Sequence, residues 1–474
     1  MTYDAVVVGA GPNGLAAAVE LARNGLSVLV VEANGTVGGA ARTEELTLPG
    51  FRHDVGSAVY PLGIGSPFFS SLPLTDHGLE WVHPPSPLAH PLDGGRAVFL
   101  HKDLDETAKQ LGADGGAYRS LLEPFVRRWP TFADHVLTTP FRIPTAPVLM
   151  ARFGLRALRS TKSLAKSFST KEARALLAGN AAHSAAPLEL VPSAAIGLVL
   201  MVAGHAVGWP VPRGGAGALT RALASLFRSL GGVIDTGCPV ASLDQLPASR
   251  AVLLAVTAEQ VARVAGERLP DSERRRYASW HYGPGVFKID WALDGPIPWE
   301  AKDCGLASTV HLGGELDEIA RSERAIWEGR VSERPFVLLA QPSLTDATRA
   351  PAGKHTAWAY CHVPNGWRGD ATEAIEAQVE RFAPGFRSLV LGRRTHTPLE
   401  LEAWDRNLVG GDVNGGAITF SNTFGPVRWT ARPWRTGLKD VYVCSASTPP
   451  GGGVHGMCGY HAARSALRAT FGAT

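Results

Sequence analysis

The sequence predicts an α/β protein built on a Rossmann-type dinucleotide-binding domain, accompanied by a second domain. Three observations carry that prediction. A strand, glycine turn, helix and strand open the chain, and another strand, glycine turn and helix lie near its C-terminus. The length of 474 residues also exceeds what one simple core accommodates. With 45% hydrophobic and 19% charged residues, the composition is that of a globular enzyme. A net charge of +3 is too small to mark a nucleic-acid binder.

The opening pattern runs as follows. Asp4 to Val8 is an apolar strand, and "GAGPNG" supplies Gly9, Gly11 and Gly14 with Pro12 and Asn13 between them. Leu15, Ala18, Val19 and Ala22 then recur at helical spacing until Gly25, and Ser27 to Val31 forms the next strand. Gly9 makes the tight turn, Gly11 lets backbone approach a pyrophosphate, and Gly14 lets helix pack on strand. The helix N-terminus offers free N–H groups to phosphate. Glu32, followed by Ala33, ends the second strand and can accept both hydroxyls of a ribose while repelling a 2′-phosphate. This speaks for FAD or NAD over NADP without separating the first two.

The next stretch begins to separate them. Gly38 and Gly39 let a second length of backbone close over the pyrophosphate, and Arg42 can neutralise it. A double clamp suits a cofactor that stays bound. Near the C-terminus, Asp440 to Cys444 reads as a buried strand, Pro449 to Gly453 as a turn, and a helix starts at about His455. This turn lacks GxGxxG spacing, so it completes no second dinucleotide site. Its helix N-terminus, placed at Val454, can instead face the far end of the first cofactor and stabilise negative charge on a reduced flavin.

The stretches "GAGPNGLAAA", "VEA", "GGAART", "PGFRHDVGS", "PRGGAGALTRAL", "GVFKIDWAL" and "PPGGGVHGMCGYHAA" together resemble the phytoene-desaturase-type flavoproteins of the amine-oxidase-like FAD superfamily. Within them the chain is most similar to the non-carotenogenic bacterial branch around the pyridine nucleotide-disulphide oxidoreductase domain protein 2 group. The resemblance implies FAD as cofactor, with Gly9, Gly11, Gly14, Glu32, Gly39 and Arg42 on its adenosine diphosphate half. It places the Val240 backbone at adenine and Gly452, Gly453 and Val454 at the flavin end. It also implies a discontinuous FAD-binding domain (1–70, 206–285 and 406–474) interleaved with an α+β substrate domain (71–205 and 286–405), a glutathione-reductase-2-like layout. Ala40, Ser447 and Pro449 depart from the family pattern, which has arginine, an acid and histidine at those places.

In "GVFKIDWAL", strand alternation puts Lys288 and Asp290 on one face and Phe287, Ile289 and Trp291 on the other. Lys288 is either part of an ordinary polar face or, by similarity to an amine-oxidase lysine, a group near flavin N5. Trp358, Tyr360 and His362 share a face of the next strand, as a core layer or as the wall of an aromatic substrate pocket. The apolar run Ser193 to Trp209 reads as a buried helix or tunnel wall. Arg152, Arg156 and Arg159, with Phe153 and Leu158 beside them, read as a solvated helix or a membrane-surface helix.

Five scattered cysteines without a CxxC read as core residues in a reducing cytoplasm, and no metal-ligand spacing is present. No secretory signal precedes the first strand, so a cytoplasmic protein is expected. The function expected from these residues is FAD-dependent removal of hydride from a lipophilic or conjugated substrate, with oxygen or a quinone as external electron acceptor. Amine oxidation, redox-neutral isomerisation and a non-enzymatic lipid carrier are the alternatives.

Overall fold

In a computed structural model that describes residues 2–139, 142–425 and 427–473, the apolar run Tyr3–Val8 is the central strand of a five-stranded sheet. Val28–Val31 pairs on one side of it and Ser249–Leu254 on the other, with Val233–Asp235 and Val441–Val443 at the edges. Every pairing is parallel. The first glycine turn therefore leaves the sheet where strand order reverses, the crevice in which open α/β sheets hold ligands.

The helix Pro12–Arg23 starts on a proline, whose missing N–H is no loss there, and buries Leu15, Ala18, Val19 and Ala22. The helix Met457–Ala469 lies against it so closely that a Cβ on Gly459 would sit 1.8 Å from the Asn13 carbonyl oxygen. This contact brings the C-terminal glycine turn to the N-terminal one. The expected helix start at His455 is two residues early. His455 Nδ1 accepts from the Met457 N–H at 3.0 Å, and Gly456 is left-handed at φ 68°, so Val454 belongs to the turn.

The second sheet has seven strands, in the order Val390–His396, Gly285–Leu293, His355–Val363, Val337–Ala340, Ala307–Leu312, Ser86–Leu92 and Arg96–Leu100. Only the Ala307–Leu312 and Ser86–Leu92 pair is parallel. Its two faces divide as alternation requires. Phe287, Ile289, Trp291, Ala357, Ala359 and Cys361 share one apolar core. Lys288 opposes Tyr360 and Asp290 opposes Trp358, on the other face.

The helix Ala194–Ala206 is the buried element expected of the apolar run. Of the basic stretch, Arg152 and Arg156 lie on the helix Pro147–Ala157, which ends two residues before Arg159, so the three do not share one helix as expected, and Phe153 does not face outward either. Its ring packs edge-on against Phe125 and Phe132, at 5.7 and 4.9 Å, because aromatic burial outweighs exposure. Val148, Leu155 and Leu158 are exposed in its place. No helix among the described residues is long and apolar enough to cross a membrane.

Candidate functional site

A single cavity of about 570 Å³ runs from the first glycine turn to the last. At its nucleotide end the backbone does the shaping. Gly9 has φ 100°, and a Cβ on Gly14 would lie 1.9 Å from the Gly9 carbonyl oxygen, so neither position admits a side chain. Gly38 N–H donates to Ala10 O at 2.9 Å, and a Cβ on Gly39 would stand 3.1 Å from Gly11 Cα. The two clamps thus meet backbone to backbone.

Glu32, 5% exposed, is held by two backbone amides: Oε2 accepts from Ala10 N–H at 2.7 Å and Oε1 from Asn34 N–H at 2.8 Å. Gly9, Gly11, Pro12, Asn13, Gly14, Glu32, Ala33, Gly39 and Val240 all line the cavity, and so do Gly453 and Val454 at the far end. Ser447 lines it as well, its hydroxyl accepting from Ala258 N–H at 3.2 Å and donating to Gly415 O at 3.3 Å. Cys238 is exposed on this wall, unlike the four buried cysteines.

Other predicted residues lie off the wall. Gly38 is the hinge of the second clamp. Gly452 backs onto Asn414, with a Cβ position 2.8 Å from its carbonyl oxygen. The Arg42 guanidinium stacks on Trp404, itself on the cavity wall, at 3.7 Å and donates to its carbonyl at 3.3 Å. His362 Nδ1 is bound to Glu323 at 2.8 Å, both buried. Lys288 Nζ is 2.5 Å from Asp290 Oδ2 and 5.2 Å from the ring centroid of Trp358, which does line the cavity. Burial pushes the Asp290 carboxyl up to about 6 against the pull of the Lys288 ammonium. Nearby, Arg349 pairs with Asp54 at 2.8 Å, so Lys288 sits in a buried ionic layer.

Trp358 and Tyr360 form part of the wall together with Tyr60, His183, Leu200 and Trp209. His183 Nε2 is 2.9 Å from His311 Nε2. Burial keeps these groups neutral: it raises the Tyr60 and Tyr360 phenols far above neutral pH and pushes His183 down to about 3. Two carboxylates on the wall, Asp405 and Asp412, escape sequence reasoning, since neither stands in a recognisable motif. Asp405 accepts from Asn407 N–H at 3.0 Å, and Asp412 from Gly283 and Asn414 N–H at 2.8 and 2.7 Å. His183 and Tyr60 are equally unmarked, whereas Trp209 ends the run read as a tunnel wall.

A family model described as flavin containing amine oxidoreductase matches residues 13–469. The pyridine nucleotide-disulfide oxidoreductase domain-containing protein 2 of Rattus norvegicus is 28% identical, over 98% of this chain and 93% of its own. The phytoene dehydrogenase of Streptomyces griseus is 28% identical over 90% of this chain and 83% of its own. Putrescine oxidase, solved with putrescine bound, shares the fold with a TM-score of 0.62 at 19% identity over 98% of each chain.

Proposed function

The chain belongs to the flavin containing amine oxidoreductase family and is an FAD-dependent oxidoreductase, and from that premise we propose that it dehydrogenates an apolar or conjugated substrate. FAD supplies the hydride acceptor. The residues present fit it: facing glycine backbones that a Cβ would fill, an amide-held Glu32 at ribose distance from the turn, and a second glycine turn at the cavity's other end. Gly9, Gly11, Gly14 and Gly39 would hold the pyrophosphate, and Gly453 and Val454 the flavin.

The observation that carries the substrate class is the neutrality of the aromatic wall. The cavity's carboxylates Glu32, Asp405 and Asp412 each accept backbone N–H groups, and no carboxylate stands among Tyr60, His183, Leu200, Trp209, Trp358 and Tyr360. Nor do the rings make a cage for an amine. Trp358 and Tyr360 are inclined by 15° with centroids 5.9 Å apart. A molecule between two parallel rings needs two contacts of about 3.5–4 Å, so this pair is too close to hold one between them. The wall orients an apolar chain and excludes water.

Delivery of such a substrate is supported by the outer surface. Val148, Leu155 and Leu158 are exposed beside Arg152, Arg156 and Arg159, and Leu190 and Val191 are exposed just before the helix Ala194–Ala206, whose Leu200 reaches the cavity. A membrane interface would cover this patch, with oxygen or a quinone taking the electrons.

Anaerobic bleaching of the flavin tests the reading. A panel of polyenes, apolar alkenes and primary amines should give bleaching by the first two classes and none by amines. Bleaching by amines alone overturns it.

A further inference from the structure

A second concavity, of about 720 Å³, shares no lining residue with the FAD cavity and carries a different charge altogether. Arg142, Arg432, Arg435, Arg464 and Arg468 converge on it from three stretches of chain, with Asp134 as the one acid among the described residues of its wall. Arg464 and Arg468 are four apart on the helix Met457–Ala469, so they share a face. Arg142 pairs with Asp134 at 2.8 Å, and Arg464 reaches Glu20 only at 3.5 Å. Arg432, Arg435 and Arg468 have no acid within ion-pair distance among the described residues.

Like charges crowded in a hollow repel one another, and a concave surface focuses their field. Such a cluster is stabilised when an anion spans it. A planar guanidinium bonds phosphate bidentately, and several spaced around one hollow suit a ligand with more than one phosphoryl group. The volume is that of a small-molecule site. The floor is aromatic: His461 stacks on Trp434 at 5.0 Å with 28° between planes, and Tyr460 adjoins them.

We propose that this arginine cleft is a binding site for a small diphosphate-bearing anion, separate from the FAD cavity. The site also touches the flavin end. Trp434 Nε1 donates to Pro449 O at 3.0 Å, at the start of the turn that carries Gly453 and Val454. An anion that orders Trp434 therefore acts on the geometry of that turn. The inference does not depend on what the aromatic wall binds.

Calorimetry on the FAD-saturated holoenzyme at low salt tests it, with inorganic pyrophosphate and ADP as probes. Saturating FAD keeps either probe out of the nucleotide cradle. One site per chain is expected, weakening as salt rises. Arg432→Ala and Arg468→Ala, both at exposed positions, should each weaken pyrophosphate binding about tenfold, the loss expected of one charged hydrogen bond, with FAD content unchanged. ADP binding tighter than pyrophosphate assigns the ring to Trp434 and Tyr460; equal binding assigns the site to the diphosphate alone. The proposal is overturned if neither probe binds, if binding is indifferent to both substitutions, or if only polyglutamate binds, which would make the cleft a docking face for an acidic macromolecule.

Discussion

The two ends of the FAD cavity are built by opposite means. At the nucleotide end the shape is backbone: Gly9, Gly11, Gly14 and Gly39 remove side chains, and amides hold Glu32. At the other end the shape is side chain: Tyr60, His183, Trp209, Trp358 and Tyr360 arrive from four separate stretches of chain. The backbone end has almost no freedom to vary and defines a cofactor. The side-chain end can be repainted residue by residue without disturbing those turns.

The sharpest way to break this contrast is to put a side chain where the backbone end excludes one. Gly14→Val would drive a Cβ to within 1.9 Å of the Gly9 carbonyl oxygen. Loss of yellow colour and destabilisation of about 3 kcal/mol are expected, measured by flavin absorbance and denaturant titration. Full FAD content in that variant would show that the turn is not the cradle.

The ionic layer behind the aromatic wall tests the other end. Lys288→Met leaves Asp290 buried without its cation, and removing one partner of such a pair costs about 3–5 kcal/mol. A Lys288→Met/Asp290→Leu double variant should recover most of the loss. If instead the single variant keeps its thermal midpoint and slows flavin reduction, Lys288 acts on the cofactor rather than on the layer.

The second sheet, which carries Trp358 and Tyr360, also responds to pH. His90, wholly buried in the second sheet, is pushed by burial down to about 4, and burial likewise holds His311 well below the ordinary histidine range. With folded values below the unfolded one, the unfolded chain binds more protons as pH falls. The stability these residues give is thus complete above about pH 6.5 and is lost toward pH 4, by about 1.4 kcal/mol per pH unit per group. Thermal midpoints measured from pH 7 to 4 should fall, and less steeply for His90→Gln. An unchanged slope would move the acid sensitivity elsewhere.

The smallest expected effect is on the outer patch. Each arginine near an anionic leaflet contributes about 1 kcal/mol, so flotation with anionic vesicles should be lost in an Arg152/Arg156/Arg159→Glu variant and reduced by salt. Failure of the wild type to float assigns these arginines to the protein contacts already seen, Arg152 to Ser120 O and Arg159 to Ser163 O.

This difference between the ends also explains what the sequence made legible. Gly9 and Gly14 announce their geometry because a tight strand-to-helix turn demands glycine at fixed spacing, and Glu32 is found at the strand end where that spacing puts it. The alternation in Gly285–Leu293 and His355–Val363 equally predicts the two faces that the sheet presents. Arg42 and Lys288 could not be placed this way. A cation goes to whichever partner lies in reach: Arg42 meets Trp404 from a distant segment, and Lys288 turns to Asp290 two residues away on its own strand face. His183 and Asp405 are visible only once distant segments meet.

The contact between Gly459 and Asn13 has a consequence for biosynthesis. The first helix emerges early from the ribosome, but the helix that locks against it, the edge strand Val441–Val443 and the flavin-end turn are translated more than four hundred residues later. Until then the nascent chain presents a half-built cradle with an open sheet edge. Cofactor loading is therefore a late event, and the interval before it is the window in which this polypeptide most needs chaperone protection.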